Sequence, residues 1–119
     1  MAVGVGLTLL GEAVEEITAF DDLASLPDAG LADMFCELRR EIDRLEGSAA
    51  RMLAGIEGRG IPCGAGAASA AAWAQWQAGQ RWQDAKASLA AGWLADLLPL
   101  THAAWLAGEI SASAARTIC

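Results

Sequence analysis

The sequence predicts an all-α protein: a multi-helix bundle in which one long heptad-patterned helix is followed by short helices, including a helix-turn-helix-like pair. Three observations predict it. Apolar residues between Leu31 and Ile56 advance in alternating steps of four and three. Alanine, the strongest helix former, supplies 28 of the 119 residues. Glycine, proline and serine punctuate the remainder at intervals suited to short helices.

Taken in order, Val3, Val5, Leu7 and Leu9 alternate loosely with Gly4 and Gly6, and residues 1–9 are expected to be a flexible, frayed terminus. A single helical domain over 10–119 is expected to follow. From about Thr8 the spacing turns helical, with Leu10, Val14, Ile17 and Phe20 on one stripe and Glu12, Glu15 and Glu16 mostly off it. Asp21 and Asp22 end that helix. Ser25-Leu26-Pro27-Asp28 then offers an N-cap serine, a proline tolerated in the first turn and an acid near the positive helix end.

The second helix carries the heptad seam Leu31, Phe35, Leu38, Ile42, Leu45, Ala49, Met52 and Ile56, and ends at Gly58 and Gly60. Glu37 with Arg40, Glu41 with Arg44 and Arg39 with Asp43 stand at helical neighbour spacing, each pair contributing about 0.2–0.5 kcal/mol. In a parallel dimer Glu41 at position g would meet Glu46 at position e of the partner, a like-charge contact that disfavours that pairing. Packing of the seam against this chain's own helices is the first expectation. An antiparallel dimer and docking of a partner protein are the alternatives.

Residues 58–68 read as a glycine- and alanine-rich loop containing Pro62. Ser69 caps a short helix through Ala78, Gly79 breaks it, and a longer helix runs from near Arg81 to Leu97 or Leu98. Pro99 and Thr101 start another helix that Gly108 ends, and Ser111 caps the last, which stops at Cys119. Such an abrupt stop is expected of a fragment of a longer protein.

The net charge of −7 belongs wholly to the first half: residues 1–60 hold twelve acidic and five basic side chains, residues 61–119 three of each. No basic patch of the kind that holds nucleic acid is evident. No apolar run reaches the length of about 18 residues that a spanning helix needs, and no basic stretch or cleavage signal marks residues 1–10 as a secretory leader, so a cytoplasmic, non-membrane protein is expected. Cys36, Cys63 and Cys119 are odd in number and widely spaced, and are expected to be reduced thiols rather than a disulfide framework or a zinc site.

Five tryptophans, Trp73, Trp76, Trp82, Trp93 and Trp105, are expected to supply the bulk that an alanine-rich core lacks, although indoles also stack on nucleobases. Gly58-Arg59-Gly60-Ile61-Pro62-Cys63-Gly64-Ala65-Gly66 lacks the GK[ST] ending of a phosphate loop, and Pro62 removes a backbone donor, so a plain linker is expected. Nothing near Cys63 activates its thiol toward His102 as a base. Glu15-Glu16 and Asp21-Asp22 read as a solvated face. No catalytic constellation, metal site or cofactor is expected, and no small-molecule substrate is evident. In the helix-turn-helix-like pair the second helix would present Arg81, Gln83 and Lys86, groups able to contact phosphates or base edges of double-stranded DNA.

The run Ser69-Ala70-Ala71-Ala72-Trp73, with Gly79, Ala85, Leu98-Pro99, Ala104, Gly108-Glu109-Ile110-Ser111 and Ala115, resembles the actinobacterial 13E12-repeat family, domain of unknown function 222. Leu38-Arg39-Arg40 and Met52-Leu53-Ala54 resemble the long helix preceding that run in the family, so the resemblance covers roughly residues 10–119. It implies a mobile-element-like setting in which such domains often precede an HNH endonuclease domain. That nuclease domain is absent from this sequence, so the resemblance implies a C-terminally truncated, non-enzymatic portion. The family's Trp-Leu-Ala and Gly-Leu-Ser are here Trp73-Ala74-Gln75-Trp76 and Gly79-Gln80-Arg81, which costs the turn an apolar residue and an N-cap serine. A fainter similarity joins Leu98-Pro99, Leu106, Gly108, Ile110-Ser111 and Arg116 to the helical DNA-binding region of ParB-type partition proteins, and implies that Arg116 assists DNA contact. The expected function is therefore a non-catalytic helical accessory domain associating with DNA. The alternatives are a protein–protein interaction module, docking another protein or downstream helical segments, and a non-functional truncated gene product.

Overall fold

Leu31, Phe35, Leu38, Leu45 and Met52, the seam that dominates the sequence pattern, lie exposed on a single long helix whose other side is occupied by small residues. The computed structural model describes residues 2–118. It is helical with no strands among the described residues: α1 (Ala2–Ala19), a 3-10 turn (Leu23–Ser25), α2 (Asp28–Gly58), α3 (Ile61–Gly64), α4 (Ala70–Ala78), α5 (Trp82–Gly92), α6 (Leu94–Leu97), α7 (Pro99–Leu106) and α8 (Ala112–Ile118). The chain divides into two compact units, one ending at Cys36 and the other beginning at Glu37.

In the first unit α1 begins at Ala2, so residues 2–9 of the segment expected to be flexible form the first two turns of a helix. Thr8 Oγ1 donates to the Gly4 carbonyl at 3.1 Å and Thr18 Oγ1 to that of Val14 at 2.8 Å, satisfying hydroxyls against the preceding turn. None of residues 4–36 is buried. The stripe Val14, Ile17 and Phe20 forms as a stripe but is exposed. Ser25 does not cap α2: its hydroxyl donates to the Asp22 carbonyl at 2.8 Å within the 3-10 turn, and the Leu31 amide donates to Pro27 O at 3.0 Å as α2 starts.

The second unit holds the core. Ala50 of α2, Ala91, Leu94, Trp105, Ala112 and Ala115 form one buried cluster with Ile110 against it, and Leu53, Ala70, Ala71, Ala74 and Ala85 form a second with Trp73 and Leu89. Most of these side chains are methyl groups, so backbones approach closely. A Cβ on Gly92 of α5 would fall on the Ala50 carbonyl oxygen and 2.8 Å from its carbon. One on Gly47 would meet Leu106 Cδ2 at 3.1 Å and Trp105 Cδ2 at 3.2 Å. α2 thus buries Asp43, Gly47, Ala50, Leu53 and Ala54, a stripe beside the seam rather than the seam itself. The expectation that the seam packs against the chain's own helices is corrected accordingly. Helices this close are admitted only where side chains are small.

Caps fall where local chemistry places them. Ser69 Oγ accepts from Ala72 N at 3.1 Å and Ser111 Oγ from Ala114 N at 3.0 Å, each worth about 1 kcal/mol. Gly79, at φ 65°, ends α4 in the left-handed conformation that lets α5 turn back and pack against it. The expected long helix from Arg81 to Leu97 is interrupted at Trp93, giving α5 and α6, and the expected loop over 58–68 contains the short turn α3 with Pro62 in its first turn.

Tryptophan burial is uneven. Trp105 is 1% exposed and is the core's one large, fully buried side chain among the described residues, while Trp73 and Trp93 are half-buried. Trp76 is 71% and Trp82 45% exposed, so these two depart from the expected core role. The short α4 and α5 pack through alanines, leaving no depth in which to sink two further indoles.

Candidate functional site

Two surfaces carry the residues singled out by the sequence. The first is α2. Its helix is sustained by long, unbranched side chains with high helix propensity, and its ions organise one flank. Arg39 pairs with Asp43 at 3.0 Å and approaches Glu46 at 3.6 Å, while Glu46 holds Arg116 of α8 at 2.8 Å. Arg44 pairs with Glu41 at 3.0 Å as its spacing predicts.

Arg40 does otherwise. Its Nε donates to Gly108 O at 3.3 Å and its Nη2 to Ala107 O at 3.2 Å, and Arg44 Nε donates to Leu106 O at 2.9 Å. Two cations thus close the carbonyl end of α7, where the helix dipole concentrates negative charge. Gly108, at φ 77°, completes the cap with Glu109 N donating to Ala104 O at 2.9 Å. None of this cap is visible in the apolar pattern. The signals that point to it are Gly108 itself and the three- and four-residue spacing of Gly47, Ala50 and Ala54, which marks the side of α2 able to receive another helix.

With that flank engaged, the seam remains outward. Phe35 is 66%, Met52 54% and Leu45 44% exposed, with Leu31 and Leu38 also exposed and Ile42 and Ile56 half-buried. The seam lies roughly a third of a turn around the helix from the buried stripe. Contacts on both can exist together.

The second surface is the start of α5. Arg81 stands at its N-cap with no side-chain cap bond, and Arg81, Gln83 and Lys86 are all exposed. Lys86 Nζ lies 4.3 Å from the centroid of the Trp82 ring, a cation–π contact that lays the lysine along the helix. Asp84 sits among them in the first turn and offsets one positive charge. Arg116, the fourth candidate, is engaged by Glu46 and stands apart from this group in the contacts it makes.

The chemistry available elsewhere is sparse. His102 of α7 is buried, its Nε2 has no hydrogen-bond partner, and its ring edge meets Trp105 at a centroid distance of 6.3 Å. Burial, and secondarily the positive charge of Arg51, hold its pKa below the usual 6.5. Cys63 is exposed and free, as is Cys36, and no hydrogen bond joins Cys63 to His102 among the described residues; Cys119 lies outside them. Among the described residues no group of three or more His, Cys, Asp or Glu side chains gathers as metal ligands do. A hollow of about 500 Å³ bordered by Gly66, Ala67, Ala68, Ala72, Gln75 and Trp76 has no nucleophile, acid or base in its wall. No described helix is long and apolar enough to cross a membrane.

Comparison of the chain with protein-family models, curated proteins and solved structures returns no match.

Proposed function

We propose that the chain is a non-catalytic helical interaction module that docks another amphipathic helix along the α2 seam. One observation carries this reading: Leu38, Leu45 and Met52 are exposed on a helix whose neighbouring stripe, Gly47, Ala50 and Ala54, is already buried by the chain's own α5 and α7. Regularly spaced large apolar side chains that the fold itself does not cover are characteristic of association surfaces. The acidic net charge accords with a protein partner better than with a polyanion.

The test is a seam variant measured at low micromolar concentration. Leu45→Asp is expected to keep the helical dichroism and melting midpoint of the parent while losing binding of an apolar dye. Unfolding of that variant as a monomer would show that the seam belongs to the fold's own core, and would remove the reading.

A second reading is association with double-stranded DNA through α5, favoured by the joint exposure of Arg81, Gln83 and Lys86 after the Gly79 turn. It keeps the accessory, HNH-associated role that the 13E12-repeat resemblance implies. Labelled duplex shifted at low salt and released as salt rises is the expected signature, because binding is driven by counterion release. Absence of any shift at tens of micromolar protein would end it.

A further inference from the structure

We infer that the occupant of the α2 seam is a second copy of this chain, its α2 running antiparallel about a two-fold axis between positions 43 and 44. The inference rests on the docking reading above and names its partner. The seam spacing is the same read from either end, four, three, four, three, four, three, four, so antiparallel pairing gives every seam residue a seam residue opposite. Ile42 then faces Leu45 of the second copy, Leu38 faces its Ala49, Phe35 its Met52 and Leu31 its Ile56. Large side chains are matched with smaller or more flexible ones in two of the four kinds of layer, Leu38 with Ala49 and Phe35 with Met52, and the other two pair leucine with isoleucine. Parallel pairing stacks Phe35 on Phe35 and leaves Ala49 against Ala49.

Charge selects the same arrangement. In an antiparallel pair position e faces e and position g faces g, so Arg39 comes beside Glu46 of the second copy, and by symmetry this happens twice. Both side chains are accessible, Arg39 at 47% and Glu46 at 34%, and their own-chain separation of 3.6 Å leaves each able to share a partner. On the other flank Glu41 faces Ser48, so the like-charge contact of Glu41 with Glu46 that a parallel pair imposes is avoided. Asp43, Gly47, Ala50 and Ala54 lie roughly a third of a turn from the seam, and of the buried residues of α2 only Leu53, at position e beside Met52, flanks it.

The test uses the full chain with Cys36, Cys63 and Cys119 changed to Ser. Chains carrying Leu38→Cys and Ala49→Cys are mixed in a thiol–disulfide buffer, and the mixed disulfide is expected to exceed either like-with-like disulfide by about 10-fold. Sedimentation equilibrium of the unaltered chain in reductant is expected to show the mass rising from one chain to two between roughly 5 and 500 μM. Arg39→Glu is expected to weaken the dimer and the further change Glu46→Arg to restore it. A predominance of 38-to-38 disulfide, or one chain mass throughout that range, overturns the inference. A strict monomer in which Leu45→Asp remains folded removes the second copy but leaves the docking reading standing, whereas monomeric unfolding of Leu45→Asp removes both.

Discussion

The indole Nε1 of Trp105 donates a buried hydrogen bond of 2.8 Å to the main-chain oxygen of Asp43, 62 residues earlier in the chain. This bond ties the largest buried side chain of the core to the backbone of α2, and it does so one turn before Gly47, whose missing side chain admits the same indole. Packing and polar satisfaction therefore converge on one residue in a core otherwise built mainly from alanine.

Replacing Trp105 by Ala is expected to cost about 3–5 kcal/mol, since it removes the one large, fully buried side chain among the described residues and leaves a cavity that neighbouring methyl groups cannot fill. Trp105→Phe keeps most of the bulk and loses the indole donor, so it is expected to cost about 1–2 kcal/mol. Urea unfolding of both variants at constant pH checks the order.

Gly92→Ala is expected to destabilise by about 2 kcal/mol or more, because its Cβ would land on the Ala50 carbonyl and neither backbone can yield cheaply. Gly55→Ala, whose Cβ meets nothing within 4 Å on the same α2, is expected to be neutral or stabilising. Thermal melting of the pair separates close approach from helix propensity.

Gly108→Ala combines a left-handed φ of 77° with a Cβ 2.7 Å from Arg40 Nε, so it is expected to lower the melting midpoint more than Arg40→Ala does. Arg40→Ala removes two donors to exposed carbonyls and is expected to cost no more than about 1 kcal/mol. A larger loss for Arg40→Ala than for Gly108→Ala would contradict the cap described above.

His102 makes stability pH-dependent in a defined direction. Its folded-state pKa lies below the unfolded value of 6.5, so its contribution is whole above that value and is lost as pH falls through it, when the unfolded chain takes up the proton first. The melting midpoint is expected to fall between about pH 7.5 and pH 5. His102→Leu is expected to flatten that decline, and an unchanged slope in the variant would assign the dependence to another group.

Helix positions were legible in the sequence because their signals are local. A serine hydroxyl reaches a backbone amide three residues on, so Ser69 and Ser111 mark the starts of α4 and α8 without reference to anything distant, and Gly79 and Gly108 mark ends for the same reason. The heptad of α2 was equally plain, and so was its end at Gly58. The start of α1 was less so, since Gly4 and Gly6 argue against helix.

Which side of α2 would be buried was not written in that pattern, and only the tertiary structure decided it. Apolar periodicity weighs large side chains and so favours Leu31 through Ile56, whereas the approach of α5 and α7 depends on where side chains are absent, at Gly47, Ala50 and Gly92. By itself the sequence determined an all-helical chain, its breaks and its amphipathic seam; the close backbone contacts determined that the seam would face outward, because a helix can come within reach of another backbone only across residues too small to hold it off.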